Sequence, residues 1–268
     1  MKELNLDELH NIELNILKKF DVFCRNNGIM YSVGAGTMIG VVRHHGFIPW
    51  DDDVDIFMMR EEYNKFIKLI SENNFYIGDH YYAKVPGMAK YRYPFIKLMD
   101  DRTTVYENNC LKEEMGVWVD IFPIDYCSET YKGAISIAER QKKLFNCYQE
   151  YNKLHPYDSI TNLVKNIFLV AYRLTHQWVK RDIFKYEKQL SQNSKMLYSG
   201  TVVWTQSIKD VYPSDYFDEY VDMTFENVKV MVFKKYDQIL KHRYGDYMVL
   251  PPENQRISHN PHAFWKNI

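Results

Sequence analysis

The chain has 268 residues, 46% of them hydrophobic, enough to bury the core of one large domain or of a domain with a helical annex. Lys and Arg number 34 against 35 Asp and Glu, and a net charge of −1 offers no global field to draw nucleic acid, so no nucleic-acid partner is expected. Met1 to Asp7 lack the apolar stretch of a secretory signal, and no run of about 18 uncharged apolar residues is present to cross a bilayer. Leu9, Ile12, Ile16, Phe20 and Phe23 recur at helical spacing and predict an amphipathic helix that Asn26-Asn27-Gly28 stops. A first strand is expected over 29–33, then the small-residue turn Gly34-Ala35-Gly36-Thr37 and a short helix over 38–44. The loop from His45 to Trp50 leads to Asp51-Asp52-Asp53-Val54-Asp55 and the apolar run Ile56-Phe57-Met58-Met59, which reads as a core strand.

Helix is predicted over 60–73, with Tyr63, Phe66, Ile67 and Ile70 on one face. Strands follow at 93–97, 103–106 and 117–122, the last ended by Pro123. Beyond Ser128 the pattern is helical to about Lys153, and one long helix is expected over 161–190. Its stripe of Leu163, Val164, Ile167, Phe168, Ala171, Leu174 and Trp178 is read as a core face rather than a membrane-lying one, although Lys165, Arg173, His176, Lys180 and Arg181 make the helix basic. Short strands at 221–225 and 228–232 precede a helix over 236–243 and a loop-rich tail with Pro251-Pro252, Arg256 and His259. Cys24, Cys110, Cys127 and Cys147 show no CxxC spacing and read as reduced thiols of a cytoplasmic protein.

The acid cluster is the main functional signal. Carboxylates this close repel one another, which raises their proton affinity unless a cation or donor array compensates. Along an extended chain Asp53 and Asp55 point the same way, about 7 Å apart, a hard-oxygen site for Mg²⁺ or Mn²⁺. Most acid runs are solvated turns, but Asp55 opens an apolar strand where an unpaired charge is costly. An EF-hand loop using Asp51, Asp53, Asp55 and Glu62 is disfavoured because Ile56 stands where the turn glycine belongs. A dinucleotide fold is disfavoured because Gly40 comes one position too late.

Gly36 and Thr37 open the short helix, where free N–H groups favour phosphate oxygens, with helix capping alone the alternative role for Thr37. Arg43 is a candidate phosphate contact. Asp120, inside an apolar strand, is the better candidate for a third carboxylate, with Asp125 the alternative as a turn residue. Together these residues describe metal-dependent transfer at phosphorus.

The segment from Gly36 to Ile56, with its Gly-Thr turn, Arg43 and Pro-Trp-Asp-Asp-Asp-Val-Asp-Ile, resembles the signature of the LicD family of phosphocholine transferases, which are related to fukutin. Ile96 to Asp100, Val119 to Asp125, Arg243 to Met248, Pro251-Pro252 and Arg256 extend the likeness over most of the chain, residues 130–200 contributing little. The resemblance implies an α+β fold: a nucleotidyltransferase-like mixed sheet flanked by helices, with a helical annex. Residues 1–128 would form the core, 129–198 the annex, and 199–268 would complete the core. It places the catalytic and metal-binding acids on Asp53, Asp55 and Asp120, and substrate contacts on Gly36, Thr37, Arg43, Lys97 and Arg256. The implied reaction moves phosphocholine from a CDP-choline donor to a sugar hydroxyl of a glycan acceptor, such as a lipid-linked teichoic acid or lipopolysaccharide, releasing CMP at the inner face of the membrane. Nucleotidyl transfer, another CDP-alcohol donor and, last, a calcium-binding module are the alternatives. Trp50, Tyr91, Tyr93 and Trp118 are candidates for a choline cage. His259 departs from the family's doubled His, since Asn260 follows it.

Overall fold

A computed structural model describes residues 2–106, 113–190, 192, 194–256, 258 and 262–266. Cys110 and His259 lie outside the described residues. Cys24, Cys127 and Cys147 are free thiols. The chain runs α1 (Leu6–Asn26), β1 (Ser32–Val33), α2 (Ala35–Ile39), β2 (Asp55–Met59), α3 (Arg60–Ser71), β3 (Tyr81–Lys84), β4 (Ile96–Tyr106) and β5 (Met115–Ser128). Three helices follow, α4 (Tyr131–Asn152), α5 (Ile160–Thr175) and α6 (Gln177–Leu190). The remainder is β6 (Tyr198–Gly200), β7 (Val211–Pro213), β8 (Tyr220–Phe225), β9 (Val228–Phe233), α7 (Tyr236–Tyr244) and β10 (His262–Trp265).

The fold is the expected mix of sheet and flanking helices. One mixed sheet runs in the order β1-β2-β5-β4-β10, with β3 also on β4, and β6 then β7 continuing from β5, while β8 and β9 form a separate hairpin. Within the main sheet β2 and β5 pair in parallel and β4 and β5 antiparallel. The apolar stripe of α1 (Leu9, Ile12, Ile16, Leu17 and Phe20) is buried in the same core as Val33, Ile56, Met58, Phe66 and Ile121. Asn5 caps α1, its side chain accepting from Glu8 N–H at 2.8 Å while Glu8 returns the bond at 3.0 Å, a reciprocal cap that fixes where the helix starts.

Several elements differ from expectation. The strand expected at 93–97 begins only at Ile96 and runs without a break into the one expected at 103–106, the two forming β4, whose register against β5 shifts between Asp100 and Val105. Pro123 does not end β5. The pairing of β4 with β5 stops at Ile121 and that of β6 begins at Asp125, so the missing proline N–H interrupts neither ladder. The turn after α2 continues as a π-helical segment over Gly40–His44. The long helix expected over 161–190 breaks at His176 into α5 and α6.

The annex is tied to the sheet by a buried ion pair. Arg60, first residue of α3, donates to both oxygens of Asp125 on β5 at 2.6 and 2.9 Å, and its remaining nitrogen to Glu187 on α6 at 2.7 Å. Asp125 is fully buried, so the alternative of a turn residue does not hold; its place is structural.

Candidate active site

The parallel pairing of β2 with β5 sets Asp55 directly opposite Asp120. Two backbone hydrogen bonds lock the start of β2: Gly34 N–H donates to Asp55 O at 2.8 Å, and Asp120 N–H to Val54 O at 2.9 Å. Thr37 adds a third constraint. Its Oγ1 accepts from Asp55 N–H at 2.9 Å, so the hydroxyl orients the strand that carries the acid instead of capping α2.

Side-chain alternation sorts the acid cluster. Asp51, Asp53 and Asp55 line one cavity of about 280 Å³ together with Gly36, whereas Asp52 is buried elsewhere and accepts from Ser258 Oγ at 2.7 Å. A Cβ at position 36 would lie 2.7 Å from an Asp51 oxygen, so glycine is what admits the carboxylate there. Arg243 and Tyr244 of α7 close the opposite wall, with Phe57, Phe122, Trp204 and Tyr212 among the rings around it. Arg243 is held by Asp210, Nε to Oδ1 at 2.7 Å.

Asp120 stands beside this cavity, in contact with a cation from its own chain. Lys97, its cross-strand neighbour on β4, donates to both Asp120 oxygens at 2.6 and 3.0 Å. The buried ammonium lies 3.9 Å from the Trp118 ring centre, 4.5 Å from Tyr93 and 5.4 Å from Phe95. Two of the four cage candidates therefore surround a lysine. Tyr91 is a core residue whose hydroxyl donates to Phe95 O at 2.7 Å, and Trp50 lies under Arg256 at 5.1 Å.

Arg43 and Arg256 come together and do not line this cavity. Arg43 Nη1 donates to Tyr247 O at 2.5 Å, Arg256 Nε donates to Pro251 O at 3.0 Å, and burial followed by repulsion from Arg256 lowers the proton affinity of Arg43. Two neighbouring guanidiniums are suited to an anion. The structure thus gathers Gly36, Asp53 and Asp55 in the cavity, sets Asp120, Lys97 and Thr37 beside it through the pairing of β2, β5 and β4, and places Arg43 and Arg256 together outside its lining.

Sequence reasoning missed Glu13, Asp210 and the role of Arg243. Glu13 lies on α1, is 2% exposed, and its Oε2 has no hydrogen-bond partner among the described residues. Burial above all, then the charges of Asp53, Asp52, Asp51 and Asp120, holds its carboxyl well above the usual range. A glutamate one residue after Ile12 and three before Ile16, on the apolar stripe, was the readable signal. Burial likewise pushes Asp55 well up, reinforced by Asp53, Asp120 and Asp51 and opposed by Lys97.

Among the described residues no group of three or more His, Cys, Asp or Glu is drawn together tightly enough to hold a metal ion as it stands. The donor chemistry nonetheless fits a hard divalent cation: oxygen ligands only, several carboxylates in one cavity, and a buried Asp55 whose ionisation the surrounding negative charge opposes. Glu62 accepts from Met30 N–H at 3.1 Å and does not line the cavity, so the calcium-loop alternative loses its twelfth-position ligand.

Residues 28–161 match the family model described as LicD/FKTN/FKRP, nucleotidyltransferase domain, a span that holds Gly36, Asp53, Asp55, Lys97 and Asp120. The chain is 29% identical over 269 residues to the lipopolysaccharide cholinephosphotransferase LicD of Haemophilus influenzae, with 97% of each chain covered. An uncharacterized Rickettsia typhi protein, RT0683, is 33% identical over 73 residues, 27% of this chain and 24% of its own. A row of alternating aspartates entering β2, opposite a further aspartate on β5, is thus found within the matched half of the sequence, and the chain belongs to the LicD family.

Proposed function

We propose that the protein transfers phosphocholine from CDP-choline to a hydroxyl of a lipopolysaccharide or related cell-surface glycan, releasing CMP. End-to-end similarity to the Haemophilus enzyme supports the choline and lipopolysaccharide assignments. The observation that carries the chemistry is the register pairing of Asp55 with Asp120 at the edge of a cavity that also receives Asp51 and Asp53.

In this reading an acceptor oxygen forms a bond to the phosphorus that bears choline. The bond from that phosphorus to the bridging oxygen of CMP breaks, CMP leaves with the electron pair, and the hydroxyl proton passes to a carboxylate oxygen of the Asp51, Asp53, Asp55 row. Asp53, Asp55 and Asp120 would hold Mg²⁺ or Mn²⁺, which when bound supplies neutralising charge to the diphosphate. Thr37 fixes the backbone of Asp55, and Gly36 keeps the approach to the cavity open. Arg243, steadied by Asp210, faces the donor phosphates from α7. The surrounding rings offer π faces to a quaternary ammonium and to a pyrimidine base.

The test is product identity. Purified protein, CDP-choline, lipopolysaccharide and Mg²⁺ or Mn²⁺ should give free CMP and choline-bearing glycan, and chelation should stop both. Nucleoside monophosphate left on the glycan would replace this reading with nucleotidyl transfer. Turnover with a different CDP-alcohol, and none with CDP-choline, would replace the donor.

A further inference from the structure

Helix α5 has its polarity reversed relative to the rest of the fold. Only Asn166 of its sixteen residues is buried. Ile160, Leu163, Val164, Ile167, Phe168, Val170 and Leu174 are 43% to 83% exposed, and their three- and four-residue spacing makes them one stripe. The polar face is the docked one. Asn166 accepts from His155 N–H at 2.8 Å and donates to His155 O at 3.0 Å, while Arg173 donates to Tyr151 O at 2.9 Å and to Lys153 O. Tyr157 and Trp178, both exposed, flank the stripe at its two ends. The expected core face is therefore an outward face: periodicity locates a stripe but does not say what covers it.

Charge identifies the cover. Residues 131–190 hold eleven Lys or Arg against five Asp or Glu, a net of +6 in a chain whose total is −1. Lys165, Lys180, Arg181 and Lys185 are exposed on α5 and α6. Between α4 and α6 a cavity of about 440 Å³ is lined by Arg140, Lys143, Lys185 and Trp178, with Asp182 paired to Arg181. The buried Gln141 also lines it, and its Nε2 has no hydrogen-bond partner among the described residues.

We propose that the annex docks on an anionic membrane surface, with α5 lying in the plane of the interface, its apolar stripe among the acyl chains and the basic side chains on headgroup phosphates. An exposed hydrocarbon stripe bordered by cations and ended by aromatic rings is what such a helix requires. It does not span: among the described residues no helix is long and apolar enough to cross a membrane, and the sixteen residues of α5 reach only roughly 24 Å. A second copy of the chain would bring its own positive annex to the same face and be repelled. This inference uses no residue of the catalytic cavity.

Flotation of the full chain with phosphatidylcholine–phosphatidylglycerol vesicles, against pure phosphatidylcholine vesicles, tests it. Binding should need the anionic lipid and weaken with salt. Ile167→Glu with Phe168→Glu should lower partitioning by roughly tenfold or more, and Lys180→Glu with Arg181→Glu by roughly tenfold. All four positions are exposed, so the melting temperature should be unchanged. Three outcomes would overturn the proposal: no wild-type binding to anionic vesicles, equal binding by both double variants, or a wild-type dimer that Phe168→Glu converts to monomer.

Discussion

The β2–β5 edge and helix α5 depart from ordinary folding rules in opposite directions. At the first, Glu13 and Asp55 are carboxyl groups pressed into surroundings that disfavour their charge. At the second, seven large apolar side chains face outward while Asn166 and Arg173, on the polar face, make the docking contacts. Each arrangement lowers the stability of the isolated chain, and each would become favourable on the proposals above, with a cation and phosphate in one case and a lipid surface in the other. Asp125 is the instructive contrast on the same strand. Fully buried, it is bonded at both oxygens to Arg60; Asp120, five residues earlier and partly exposed, is bonded to Lys97 but also faces Asp55 across the strand pair. A charge compensated within the fold reads as structure, whereas one opposed by its neighbours reads as function.

Four experiments would sharpen or break this contrast. The largest effect is expected of Asp53→Ala and Asp55→Ala, each lowering steady-state CMP release by roughly a thousandfold without lowering the melting temperature. Near-normal turnover by either variant would remove the functional half of the comparison. Next comes Asp125→Ala, which leaves Arg60 buried without its bidentate partner; urea unfolding should show a loss of about 3–5 kcal/mol, and a loss no greater than at an exposed site would end the contrast.

The third concerns pH. Because burial raises the folded carboxyl of Asp55 above its unfolded value of 3.8, its favourable contribution is complete below that value and is lost as pH rises through the folded titration. Metal-free Asp55→Asn should therefore melt higher than wild type at neutral pH, with a flatter pH profile. Mg²⁺ should raise the melting temperature of wild type and not of this variant. An unchanged melting profile for Asp55→Asn would show that the cavity compensates the charge already. The smallest effect belongs to Thr37→Val, which deprives Asp55 N–H of its acceptor: about 1 kcal/mol of stability, together with a fall in turnover that Thr37→Ser restores. Loss of stability with no change in turnover would make Thr37 purely structural.

What the sequence disclosed follows the range of each interaction. The aspartate row was legible because strand alternation is local, and it places Asp51, Asp53 and Asp55 in one cavity with Asp52 outside it. Asp120 was legible as an acid inside an apolar strand, but Lys97 as its partner depended on β4–β5 register. Arg243 and Asp210 meet the cavity only through tertiary packing, so no spacing announced them. The stripe on α5 was recognised and its direction misjudged, since an amphipathic pattern is the same whether protein or lipid lies against it. Pro123 was taken for a terminator because pairing partners, invisible in one dimension, decide whether a missing N–H matters.

Arg60 has a mechanical consequence. One guanidinium bolts together the helix after β2, the far end of β5 and the final helix of the annex. Tilting α6 away from the sheet would tear open a desolvated ion pair, at a cost of several kcal/mol. Resistance to hinging at this joint would let any load on the annex reach the strand bearing Asp120 undiminished.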